Sequence, residues 1–157
     1  MDNAVLAELV RVATCDVFST MLSLELSAAP PFENAQPLSA SDVTALIGIA
    51  GDQQGFVSIH CTRLQAQEFT ARMLGVACEE VTDADAILDA MGELVNMVAG
   101  NVKTGYARCG TLQISLPTVV TTPKSEIRVK ARASLVVDFS GARGTFRVEV
   151  MLRDPGH

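Results

Sequence analysis

Two side chains with chemistry to offer stand three residues apart in the stretch Thr82 to Tyr106, TDADAILDAMGELVNMVAGNVKTGY: the carboxylate of Glu93 and the amide of Asn96. The stretch reads as one helix, and residues three apart on a helix share an edge. Ile87, Met91, Leu94, Val95, Val98 and Val102 recur at the three-and-four spacing of a buried stripe. Asp89, Glu93, Asn96, Gly100 and Lys103 form a second, polar stripe on the opposite side. An amide both donates and accepts hydrogen bonds, whereas an ionised carboxylate only accepts. Gly92 and Gly100 lie beside that polar stripe, and each costs the helix about 1 kcal/mol relative to alanine. Close approach of another molecule to bare backbone is the simplest gain that offsets them. Thr82 or Asp83 can cap the amino end, with Asp85 adding favourable charge near it. From Asp83 to Thr104 the helix spans roughly 30 Å.

Little else in the chain has the makings of a reactive centre. Cys15, Cys61, Cys78 and Cys109 lie far apart in apolar contexts, and His60 and His157 do not cluster with them. This spacing argues against a zinc site and for reduced, mostly buried thiols in a cytoplasmic protein. No phosphate-cradling glycine loop, Ser/His/Asp set or CxxC occurs. At 157 residues the chain is expected to be one domain, 1–157, and 48% hydrophobic residues supply a core without disulfides or a metal. A formal net charge of −6 argues against general nucleic-acid binding. The opening segment is amphipathic and carries Asp2 and Glu8, so no signal peptide is expected, and no apolar run is long enough for membrane insertion.

The elements that must hold the edge in place are legible as periodicities. Asn3 to about Leu24 is a first helix, with Leu6, Leu9, Val10, Ala13, Val17, Met21 and Leu24 as its apolar stripe. Pro30, Pro31 and Pro37 mark a surface connection. Val43, Ala45, Ile47 and Ile49 alternate, Gly51 to Gly55 turns, and Val57, Ile59 and Cys61 alternate again, with His60 on the more polar side beside Phe56 and Ser58. Arg63 to Leu74 is a shorter helix closed by Gly75. Beyond Tyr106, Leu112, Ile114 and Leu116 alternate until Pro117 makes that strand an edge, an end or a bulge. A long alternation from Ile127 to Phe139 then forms a hairpin with Phe146, Val148, Val150 and Leu152. The basic stripe Arg128, Lys130, Arg132 and Arg147 reads as a solvated sheet face. Long helix then strands, twice over, predicts an α+β domain with two long helices packed on an antiparallel sheet and a weak internal pseudo-repeat.

The run DAMGELVNMVAGNVK, Asp89 to Lys103, with Glu93, Asn96, Gly100 and Asn101, resembles the signature helix of the CheX family, which belongs with the CheC and FliY chemotaxis phosphatases. LPTVV (Leu116 to Val120) resembles the strand after that helix, and IGIAGDQQGFVSI (Ile47 to Ile59) its earlier hairpin. CheC-type members carry a second Glu-x-x-Asn on the first helix. Here Arg11 follows Glu8 at that spacing, which implies one site per chain, as in CheX.

The resemblance implies hydrolysis of the aspartyl phosphate on a CheY-like response-regulator receiver domain. It assigns Asn96 to orienting the attacking water and Glu93 to anchoring a receiver lysine, while Gly92 and Gly100 allow partner approach without side-chain roles. It implies no cofactor of the chain's own, Mg2+ on the partner receiver, and a homodimer. The alternative is a non-catalytic adaptor of the same fold that binds a response regulator or a motor-switch component. A small-molecule enzyme is the third reading.

Overall fold

The computed structural model describes residues 1–35, 41–121, 133–141 and 143–156. Helix α1 (Asn3–Leu22) opens the chain, followed by two short strands, β1 (Ser27–Ala28) and β2 (Phe32–Asn34). The hairpin β3 (Val43–Gly51) and β4 (Gln54–Cys61) leads to α2 (Arg63–Leu74), a 3-10 turn at Cys78–Glu80, and the long helix α3 (Ala84–Tyr106). β5 (Leu112–Ile114), β6 (Thr118–Thr121), β7 (Ser134–Gly141) and β8 (Gly144–Arg153) follow.

Alternation in sequence becomes one face of a sheet in space. All strand pairings are antiparallel, and β7, β8, β4 and β3 lie side by side in that order. Register sets Val137 against Val148, Val148 against Ile59, and Ile59 against Ala45. This single row of buried side chains crosses four strands. The helices cover that face. Val10 and Phe18 of α1, Phe69 of α2, and Met91, Leu94, Val95, Val98 and Val102 of α3 are all fully buried against it. Phe18 stacks on Phe146 with ring centroids 4.9 Å apart, and Phe69 meets Phe18 edge-on at 5.0 Å. Each such side chain contributes about 1.5–3 kcal/mol through its removal from water.

Several expectations change at this level. α1 stops at Leu22, because Ser23 takes a left-handed conformation (φ 51°) and returns its N–H to Phe18. Met21, still within the helix, is 48% exposed rather than in the stripe, because Phe18 and Leu22 take the buried face there. The proline-rich connection contains β1 and β2, both paired with β7. Strands of two or three residues have no periodicity to read, and their hydrogen bonds come from a neighbour distant in sequence. Of the thiols only Cys61 is buried, and burial pushes it up to about 12; Cys109 is exposed.

The far face of the sheet is not solvated as expected. His60 shares it with Phe56 and Ser58, but Ser58, Val136 and Thr44 there are all buried. The His60 ring lies 3.2 Å from the Thr44 hydroxyl, 2.8 Å from that of Ser58 and 3.4 Å from the Glu149 carboxylate. Arg147 is held in a two-pronged pair with Asp138 (2.7 and 3.0 Å), which raises its pKa, and lies over the Phe32 ring. Arg128, Lys130 and Arg132, and the Ile127 end of the long alternation, lie outside the described residues.

Candidate functional site

α3 forms because its apolar stripe fits the sheet, and its amino end is capped where the sequence indicates: the Asp83 carboxylate accepts the Asp85 N–H at 2.9 Å. With Leu94, Val95 and Val98 locked in the core, the opposite edge can neither rotate nor slide. Glu93 stands exposed on it and Asn96 half-buried one turn on. Among the described residues, neither side chain has a hydrogen-bond or ion-pair partner. This contrasts with Glu8 on α1, which Arg11 grips through two contacts (2.8 and 2.5 Å), an ion pair that lowers the Glu8 pKa. Glu93 and Asn96 thus form an uncommitted pair on a rigid support, and Glu8 is already occupied by its neighbour.

The two glycines differ. At Gly100 an added Cβ would meet nothing within 4 Å, so the backbone there is open. Gly92 is buried, and a Cβ there would lie 3.5 Å from Pro117 Cγ and 3.7 Å from Val119 Cγ2, ordinary contact distances. The bare backbone of Gly92 therefore faces its own chain, at the segment between β5 and β6. That segment is stitched to β3: the Ser115 N–H donates to the Gly48 carbonyl, and the Ser115 hydroxyl accepts from the Gly48 N–H (both 2.9 Å). Leu116, next in line, is 88% exposed. The alternation expected to carry it into a strand ends at Ile114.

Two concavities lie elsewhere. One of about 290 Å³ sits beside His60, Asp138 and Arg147, and one of about 670 Å³ runs between α1 and α3, lined by Val5, Leu9, Val12 and Thr104. Neither includes Glu93 or Asn96. The candidate site is an exposed helix edge, a shape suited to entering a partner's pocket.

The family model for the chemotaxis phosphatase CheX matches residues 43–140, taking in β3 through most of β7 and the whole of α3. The chain belongs to the CheX family. Its α+β architecture, an antiparallel sheet with three helices, is that of CheX- and CheC-like proteins. A CheX from Desulfovibrio desulfuricans is 27% identical, superimposes with a TM-score of 0.86 and covers 94% of this chain and 99% of its own. A chemotaxis protein from Desulfovibrio vulgaris Hildenborough is 29% identical at a TM-score of 0.83, with coverage of 94% and 96%. The CheX of a CheX-CheY-BeF3-Mg2+ complex from Borrelia burgdorferi shares the fold at 22% identity and a TM-score of 0.79, covering 94% and 97%. No curated protein is similar enough to match. Among the described residues of this CheX-family chain, no helix is long and apolar enough to cross a membrane.

Proposed function

We propose that this CheX-family chain hydrolyses the aspartyl phosphate of a CheY-like receiver domain, Asn96 orienting the attacking water and Glu93 anchoring a receiver lysine. The observation that carries the reading is the pair itself: a carboxylate and an amide on one helix edge, both without partners among the described residues. An acyl phosphate is an activated bond, so the helper need not supply a strong nucleophile. Placing a water in line with phosphorus is the main task. An uncharged amide suits it, because it donates to and accepts from the same water and does not repel the phosphoryl oxygens. Mg2+ is assigned to the receiver. The Borrelia complex, which contains CheY, Mg2+ and BeF3, a mimic of the phosphoryl group, supports this placement.

The decisive experiment follows phosphate loss from CheY-type receiver domains of the same genome, with and without the chain and without nucleotide. Faster loss from at least one receiver is expected. Intrinsic rates for every receiver would leave the adaptor reading in its place. The same proposal takes residues 1–157 as one domain acting in the cytoplasm as a homodimer. Light scattering at micromolar concentration that finds only monomers would overturn the dimer.

Gly100 offers a separate check. Among the described residues, nothing fills the space its side chain would take, so Gly100→Ala should stabilise the helix by about 0.5–1 kcal/mol. If the receiver approaches the bare backbone there, the same methyl group should weaken dephosphorylation about tenfold, or about 1.4 kcal/mol. Thermal melting and turnover measured together test this. A higher melting temperature with unchanged turnover would free Gly100 of any role in partner approach.

A further inference from the structure

Leu116 is the most exposed of the large hydrophobic residues described, at 88%, and it stands on a braced turn rather than a loose one. The preceding residue, Ser115, is tied to β3 by two hydrogen bonds, and its hydroxyl also donates to the Leu116 carbonyl at 3.1 Å. The following residue, Pro117, has a fixed φ and rests on Gly92 of α3. Val119 lies on the same side of that glycine, where an added Cβ would be 3.7 Å from its Cγ2, and β6 then pairs along β3 from Thr118. Burial in this fold cannot be what holds the leucine in place, because its side chain has almost no contact with it.

Its position relative to the candidate edge follows from the helix. Gly92 and Asn96 lie one above the other on α3, about 6 Å apart along the axis. Glu93 adjoins Gly92. Leu116, bonded to the proline that sits on Gly92, forms the shoulder of that edge. A specific protein interface covers about 800 Å² on each partner, a disc of roughly 16 Å radius. A receiver whose footprint is centred on Asn96 would therefore cover Leu116 as well. An apolar side chain held ready on a rigid turn, between Ser115 and Thr118 in the chain and joined through Pro117 to the helix that carries Asp89 and Glu93, has the composition of an interface anchor beside polar groups.

We infer that Leu116 is an apolar docking anchor for the receiver domain, seated against an apolar patch beside the lysine that Glu93 engages. This rests on the receiver-phosphatase reading and adds the residue that sets how tightly, and to which receivers, the edge docks. Leu116 does not touch the reacting atoms, so it should govern affinity and leave chemistry alone.

The test uses the full chain and CheY-type receiver domains loaded with Mg2+ and beryllofluoride. Leu116→Ala should raise the Kd about tenfold, and Leu116→Asp more, since the area removed from the interface is apolar and the aspartate would be buried unpaired. In turnover assays KM should rise in parallel, with kcat within about twofold of wild type. Leu116→Met should restore binding, and all three variants should melt with wild type. Binding and turnover fail separately: a chain that binds the beryllofluoride-loaded receiver but never dephosphorylates the phosphorylated receiver ends the phosphatase reading, while unchanged binding of Leu116→Asp overturns the anchor alone. A fall in kcat without a change in KM, or a lowered melting temperature, would overturn it too, because Leu116 would then act by holding Pro117 on α3. Loss of a homodimer with intact receiver binding would show that a second copy covers the leucine, and would overturn it equally.

Discussion

Asn96→Ala is expected to lower the maximal rate of receiver dephosphorylation by about 10²–10³, the usual effect of removing one positioned polar group from a reacting centre. Binding to a receiver carrying a stable phosphoryl mimic should stay near wild type. The split follows from what the amide is proposed to do. If the half-buried amide on its locked helix holds the water in line, that ordering is supplied by the fold rather than at the moment of reaction. Removing the amide leaves the edge, its shape and its charge in place, so docking persists. Asn96→Asp is the sharper variant. It keeps the size but replaces a donor with a negative charge beside the phosphoryl oxygens, and should be at least as slow as alanine. Both proteins should melt close to wild type, since Asn96 lies off the buried stripe formed by Met91, Leu94, Val95 and Val98. Single-turnover measurements at saturating concentration decide the matter: equal rates for Asn96→Ala and wild type would end the water-orienting assignment.

Glu93→Ala should behave differently, losing affinity and rate together. Truncating one partner of a desolvated charge pair across an interface costs about 2–5 kcal/mol, much of it the penalty of leaving the other charge unpaired. At the lower end this is roughly a thirtyfold rise in Kd. Glu93 is exposed in the free chain and bound to no other described residue, so the penalty arises only in the complex and the isolated protein should be as stable as before. Salt supplies an independent readout. Wild-type affinity should fall as ionic strength rises, and Glu93→Ala should show a shallower slope because one charge pair is gone. Titration calorimetry on a loaded receiver measures both. If Glu93→Ala binds as tightly as wild type at every salt concentration, the anchoring role is wrong, whatever happens to turnover.

The sequence by itself determined the features that depend on neighbours three or four residues away, or on strict alternation. α3 and its buried stripe, the Asp83 cap, α2 from Arg63 to Leu74 with Gly75 left-handed behind it, and the β3–β4 hairpin all lie where their local patterns place them. A helix terminus or a half-buried strand is specified by side chains that touch within a few residues, so spacing alone reveals it. The pairing of Glu93 with Asn96 on one edge belongs to the same class. Only the tertiary structure decided the rest. β1 and β2 exist because β7 offers them hydrogen bonds from more than a hundred residues away. Of the two glycines that look alike in the sequence, Gly92 is covered by Pro117, twenty-five positions on, and Gly100 is open. Leu116, which alternation alone would place in a strand, is left in solvent by the same turn that seats Pro117 on the helix. Such outcomes hinge on where distant segments of chain cross. No local spacing encodes those crossings, because they are set by how the whole sheet and its helices bury their apolar faces together.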